Sequence, residues 1–166
     1  MKEIIDKITS YNLFNYLLPG VLFAAIAEKL TPFNFIQENI IIGAFVYYFI
    51  GLVVSRVGSL IIEPFFKKVS FLKFAPYPDF VSASKDDPKL EVLSEANNMY
   101  RTFSALFVLL LILKFYSIIE IKFFAIKTYN PYILIVFLLI MFLCAYRKQT
   151  KYITGRIESI LKNKKI

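Results

Sequence analysis

A run of basic and aromatic residues near the end of the chain has the pattern most suited to binding a ligand. Lys148, Tyr152 and Arg156 recur every four residues, and Arg147 and Lys151 stand beside them. If this segment is a helix, residues four apart share one face. Cationic groups bind phosphates, and a tyrosine ring stacks on a base. The pattern predicts a site for a nucleotide or a single-stranded nucleic acid; the alternative is contact with anionic lipid headgroups.

Tyr100 and Arg101 pair a ring with a cation just before the third hydrophobic run. Repeated around a symmetry axis, the two groups of residues would form a concentrated positive ring, which attracts a polyanion. The predicted ligand-binding residues are Tyr100, Arg101, Arg147, Lys148, Lys151, Tyr152 and Arg156.

Residues suited to catalysis are scarce. The chain has no histidine, and Cys144 is its one cysteine, which excludes an internal disulfide and a cysteine-cluster metal site. Asp86 and Asp87 fit a helix N-terminus better than a metal site, and Glu91 and Glu95 fit a solvated helix face. We therefore expect no enzymatic activity, no metal and no cofactor.

Polar and proline residues interrupt the first hydrophobic run. Asn12 and Asn15 lie about one turn apart, and buried amides need partners, so they either cross-link helices or line a water-filled path. Pro19 and Gly20 follow and should kink or locally unwind the helix.

Small residues recur every four positions in the second run, at Gly51, Ser55 and Ser59. Such a ladder lets two helices approach closely. It predicts either packing within one subunit or an interface between subunits.

The hydrophobic runs that must position these residues determine the fold class. Hydrophobic residues make up 58% of the chain, well above the usage of soluble domains. They concentrate in four runs, at 8–27, 39–55, 102–119 and 128–146. A spanning helix needs about 20 mostly apolar residues. We predict an all-α integral membrane protein with four transmembrane helices, helices 3 and 4 extending into the cytoplasm. The acidic Glu3 and Asp6 argue against a cleaved signal peptide.

The distribution of charge predicts the orientation. With four spans, 16 of the 20 Lys and Arg residues fall on the side of the termini and 4 on the other. The positive-inside rule places both termini in the cytoplasm. The predicted units are a first transmembrane hairpin (1–63), a cytoplasmic loop and helix (64–101), a second hairpin (102–146) and a basic cytoplasmic helical tail (147–166).

Prolines predict where helices begin and end. The second helix should end near Glu63–Pro64, and irregular chain should surround Tyr77 between two prolines. Asp87–Pro88 should start one helix that runs through the third span, and Asn130–Pro131 should start the fourth.

An apolar stripe continues along the predicted tail helix. It is formed by Ile153, Ile157, Ile160 and Leu161. The stripe predicts packing against the 88–101 helix or a neighbouring subunit, or an amphipathic helix lying on the membrane.

Four short spans, cytoplasmic helix extensions and the basic face from Arg147 to Arg156 give a plan that resembles the small membrane effectors of bacterial anti-phage defence. The plan is closest to the membrane channel effector of the Hailong system. The resemblance implies an inner-membrane channel controlled by single-stranded DNA that an enzymatic partner makes.

We expect an oligomeric ion channel or pore controlled by a nucleotide or nucleic acid, assembled as a homo-oligomer, with a tetramer favoured and the first or second helix near the axis. The alternative is a non-conducting anchor or scaffold that recruits a cytoplasmic partner.

Overall fold

The computed structural model describes residues 12–163 of the chain, and the elements found there are helices. They are α1 (Leu13–Leu30), α2 (Ile40–Lys68), α3 (Tyr77–Asp86), α4 (Lys89–Lys122) and α5 (Phe124–Asn163). Helices α1, α2, α4 and the part of α5 from Lys127 to Glu158 are long and apolar enough to cross a membrane. The chain is thus a multi-pass helical membrane protein by length and composition. The first residues of the first hydrophobic run and both termini lie outside the described residues.

Two π-helical turns interrupt the first two spans, at Leu13–Leu17 and Gly58–Ile62. Each wide turn closes at the residue before a proline: the Leu18 amide bonds to the Leu13 carbonyl before Pro19, and the Glu63 amide to the Gly58 carbonyl before Pro64. In a regular helix a proline ring clashes with the carbonyl four residues earlier, and a wide turn relieves that crowding. Local unwinding beside Pro19 agrees with the sequence prediction.

The predicted end of the second helix near Glu63–Pro64 is wrong. Helix α2 continues to Lys68, because the π turn lets the chain pass Pro64 without breaking the helix. Irregular chain around Tyr77 is also wrong, since α3 begins there. Pro76 and Pro78 flank its first residue. The first amide groups of a helix have no hydrogen-bond partner within the helix, so prolines, which lack the amide hydrogen, are tolerated there.

Helix α4 begins at Lys89, one residue after the predicted start at Pro88, whereas α5 begins well before its predicted start. The Asp87 carboxylate accepts a hydrogen bond from the Lys89 amide at 2.9 Å, which caps α4. Helix α5 starts at Phe124, so Pro131 lies inside it and Asn130 is not its cap. The Asn130 side chain instead accepts a hydrogen bond from the Tyr116 hydroxyl and donates one to Glu120 at 2.7 Å, which ties α4 to α5.

The backbones of α1 and α2 touch directly. A Cβ atom placed on Gly20 would lie 1.7 Å from the Tyr47 carbonyl oxygen, and one placed on Gly51 would lie 1.7 Å from that of Tyr16. Only glycine fits at such distances. Gly51 therefore serves packing within one subunit.

The core lies between α1, α2 and α4, and α5 stands at its edge. The buried core residues are Ala27, Val54, Ile62, Ala105, Leu106 and Leu110. Only 6% of the span in α5 is buried, against 28–39% in the other three spans. Among the side chains of α5 that the structure describes, Met141 is the buried hydrophobic one. Most of the surface of α5 is therefore left uncovered by the other described helices, and this surface is where another subunit could pack.

Two polar contacts show which helix ends lie together. The Lys114 ammonium donates to the Leu30 carbonyl at 2.7 Å, so the end of α1 lies beside the second half of α4. The cation also satisfies a carbonyl at the negative end of the α1 dipole. At the opposite end of the bundle lie Glu63 of α2, the middle of α4 and the second half of α5.

Candidate functional site

The candidate site is centred on Glu63, a carboxylate that is only 7% exposed where α2, α4 and α5 meet. Its oxygen atoms bind the Lys67 ammonium at 2.8 Å and the Arg101 guanidinium at 2.8 Å, and the Lys148 ammonium lies 3.7 Å away. We call these four residues the Glu63 cluster. Three cations surround one carboxylate, so the cluster has an excess of two positive charges.

The π turn before Pro64 explains why Lys148 binds here. In a regular helix the Ser59 carbonyl would accept from the Glu63 amide, but that amide bonds to Gly58 instead. The next residue, Pro64, has no amide hydrogen to offer. Lys148 replaces the missing donor, because its ammonium lies 2.6 Å from the Ser59 carbonyl oxygen and 2.8 Å from the Ser59 hydroxyl. The lysine thereby fastens α5 to α2.

Arg101 reaches the cluster from α4 and retains an unused donor. Its Nη1 donates to Glu63, whereas its buried Nε has no hydrogen-bond partner among the described residues. Thr102, the residue after Arg101, donates a hydrogen bond from its hydroxyl to the Ser55 hydroxyl at 3.3 Å, which links α2 to α4. An unpaired buried donor costs free energy, so this position favours an acceptor from a ligand or water.

A cavity of about 180 Å³ opens beside Glu63 and Arg101. Four aromatic rings contribute to its walls, those of Phe66, Phe71, Phe74 and Tyr100, and the Asn97 and Ser104 side chains add polar groups. The cavity therefore combines ring surfaces with hydrogen-bonding groups. This combination suits a planar ring that carries an anionic group.

A smaller crevice lies on the other side of Lys148. Arg56, Ser59, Lys148, Gln149 and Tyr152 contribute to its lining. The Lys148 ammonium also sits 5.7 Å from the centre of the Tyr152 ring, within the range of a cation–π contact. The Tyr152 ring packs in turn on Tyr77 at 5.7 Å, which brings α3 against α5.

The residues predicted to form one basic face divide into two groups. Arg101 and Lys148 point into the bundle and bind Glu63, and Tyr100 and Tyr152 line the cavity and the crevice. The remaining cations are exposed to solvent on α5: Arg147, Lys151 and Arg156. The single continuous basic face is thus not what the structure has, because the Lys148 ammonium is bound to Ser59 of α2 while the other three predicted cations on α5 are exposed.

The predicted packing residues are mostly buried within one subunit. Those buried are Asn15, Pro19, Gly20, Gly51, Ser55 and Ser59, whereas Asn12 is half-buried. The small-residue ladder on α2 meets three different partners: Gly51 meets α1, Ser55 meets α4 and Ser59 meets α5.

Sequence reasoning missed Glu63 and Lys67. We counted both only as charges at or after the predicted end of the second helix, because Pro64 indicated that the helix ended there. One signal was present: a carboxylate followed four residues later by a lysine is a favourable pair if the helix continues.

Comparisons with protein-family models, with curated proteins and with solved structures find no match to this chain. The function is therefore inferred from the chemistry of the site.

Proposed function

We propose that this chain forms a homo-oligomeric ion channel of the bacterial inner membrane, controlled by a phosphate-bearing ligand that binds at the Glu63 cluster. The observation that carries the proposal is the excess of two positive charges in a half-buried site shared by three helices. Cations that remain uncompensated in such a site bind anions more strongly than the same groups in open solvent.

The ligand class follows from the two kinds of group at the site. Arg101 contributes a cationic side chain to the cavity wall, and the rings of Phe71, Phe74 and Tyr100 line the same cavity. Phosphate contacts with base stacking are the usual means of binding single strands and nucleotides. A nucleotide or a short single-stranded nucleic acid can make both the phosphate contacts and the base stacking. A role in anti-phage defence would fit the resemblance of the overall plan.

Control of conduction would follow from competition for the same cations. A phosphate bound to Arg101 and Lys148 competes with Glu63, and these two side chains join α4 and α5 to α2. A ligand changes a conformational equilibrium when it binds one arrangement more tightly than another. Binding at the cluster would thereby shift α5 relative to α2.

Orientation and assembly complete the proposal. The 16 to 4 distribution of basic residues supports a cytoplasmic position for the cluster and for both termini. Apolar side chains fill the space between α1, α2 and α4, so a conducting path needs several copies, and we favour a tetramer.

The test is ion flux through liposomes that contain the purified chain, with and without single-stranded oligonucleotides. We expect wild-type flux to change on adding the ligand. Lys148→Gln should raise the oligonucleotide concentration that gives half of the maximal change in flux more than Lys151→Gln does. The reason is that Lys148 contacts Glu63, whereas Lys151 is exposed nearby. A wild-type protein that conducts under no condition would favour the scaffold function, and equal effects of the two substitutions would argue against the Glu63 cluster as the site.

A further inference from the structure

The apolar stripe on the tail of α5 is uncovered. Ile153, Ile157, Ile160 and Leu161 are 38–55% exposed. The inner side of α5 is used differently: Met141 is buried, Lys148 binds Ser59 and Tyr152 contacts Tyr77. The stripe lies away from that side, so no described part of the chain covers it.

We do not expect lipid to cover the stripe either. Helix α5 is continuous over 40 residues, which corresponds to about 60 Å, or twice the ~30 Å hydrocarbon core. The uncharged part of the span ends at Tyr146, so Ile153 and Ile160 lie roughly 10–20 Å farther along the helix axis. A tail that continues the axis of its span has no break that would let it turn and lie flat on the membrane surface.

The spacing of the stripe identifies its partner. Ile153, Ile157 and Ile160 are separated by four and three residues, which is the heptad repeat of packed parallel helices. Continued toward the membrane, the same register passes Thr150 and then reaches Tyr146, Leu143 and Leu139, all of them exposed. One seam thus crosses the membrane boundary in a single register, and a helix of equal length beside α5 would cover it.

We infer that this seam on α5 pairs with the same seam of a second copy of the chain. Copies inserted with one orientation present α5 in parallel and at equal depth, so residues of the same number meet. Isoleucine at both core positions of a heptad favours assemblies of three or four helices over pairs of helices. This inference rests on the homo-oligomer of the proposed function, and it replaces the first or second helix by α5 as the element that joins the copies.

Disulfide cross-linking tests the inference on the full chain in liposomes, in a Cys144→Ser background. Ile157→Cys should give a covalent dimer on oxidation, since residue 157 meets its own copy. Glu158→Cys is the matched control, because its side chain is exposed next to the seam but points about 100° away. The wild-type oligomer is measured in parallel by native mass spectrometry, where Ile153→Lys with Ile157→Lys should cause its loss.

Each outcome separates the inference from the proposed function. A wild-type oligomer together with preferential cross-linking at residue 157 supports both. An oligomer with equal cross-linking at residues 157 and 158, and no loss on lysine substitution, overturns the seam and leaves the homo-oligomer intact. A wild-type monomer overturns both, and labelling of residue 157 by a lipid-soluble reagent would assign the stripe to the membrane and overturn the seam.

Discussion

Glu63→Gln should destabilise the protein strongly, because the carboxylate neutralises charges that the bundle holds away from water. The side chains of Arg101 and Lys148 are 21% and 23% exposed, so both would lose their partner in a poorly solvated place. Removing one member of a buried ion pair costs roughly 3–5 kcal/mol. We take the lower end, about 3 kcal/mol, because both cations keep some contact with solvent.

The matched control is Lys67→Gln, which removes a cation from the same carboxylate. The Lys67 side chain is 43% exposed, and an exposed pair four residues apart on a helix contributes about 0.3–0.5 kcal/mol. For a domain of this size 1 kcal/mol corresponds to about 2–4 °C in Tm. Glu63→Gln should therefore lower Tm by about 6–12 °C, and Lys67→Gln by about 2 °C or less.

Thermal unfolding followed by circular dichroism in detergent measures both variants. A third variant, Glu63→Gln with Lys148→Gln, should recover part of the lost stability, since it removes one of the uncompensated cations. The affinity for oligonucleotides should rise while the stability falls, because Glu63→Gln removes the carboxylate that competes with the ligand for the cations. The reasoning is refuted if Glu63→Gln and Lys67→Gln lower Tm equally, or if Glu63→Gln weakens oligonucleotide binding.

Three further predictions address packing, the ligand and the topology. Gly51→Leu should lower the free energy of unfolding by more than the ~1–3 kcal/mol of ordinary overpacking, and each subunit should unfold or misassemble. Gly155→Ala has nothing within 4 Å of its added Cβ, so in the same melting assay it should be neutral or stabilising by up to ~1 kcal/mol. Lys151→Glu with Arg156→Glu should weaken oligonucleotide binding less than Lys148→Gln does and leave membrane insertion intact, because both exposed cations lie outside the Glu63 cluster. Wild-type binding should weaken with salt at a slope of about −0.7 per phosphate contacted, and unchanged affinity and slope in the mutant would exclude the exposed cations from the site. A cysteine at Asn34 in a Cys144-free variant should be labelled only from outside the cell, and labelling from the cytoplasm alone would invert the topology.

The four spans could be predicted because length and hydropathy alone define a membrane helix. The ends of the helices were harder, and the errors concern prolines. Pro64 and Pro131 read as helix ends, yet both lie within helices in the structure. At Pro64 a preceding π turn avoids the clash with the proline ring, and the sequence does not reveal that turn.

The site was predicted in part. Arg101 and Lys148 were selected correctly as cations at one end of the bundle, but their shared partner was not. Spacing along one helix shows which residues share a face, whereas Glu63 receives its cations from three helices. Contacts across 38 and 85 positions depend on how the helices pack, and packing is not encoded in the period of any one of them.

The position of the Glu63 cluster follows from one proline. Pro64 requires a wide turn, the wide turn leaves the Ser59 carbonyl without a helical donor, and that carbonyl draws the Lys148 ammonium into the bundle. Lys148 and Arg101 are then close enough to share Glu63, and the third cation on α2 itself leaves positive charge in excess. An irregularity of backbone hydrogen bonding thus creates both the attachment of α5 and the excess of positive charge on which the proposed anion binding depends. The span with the smallest buried share is thereby held to the core by the charges for which a phosphate competes in the proposed function, and a ligand-controlled movement of α5 would need such an arrangement.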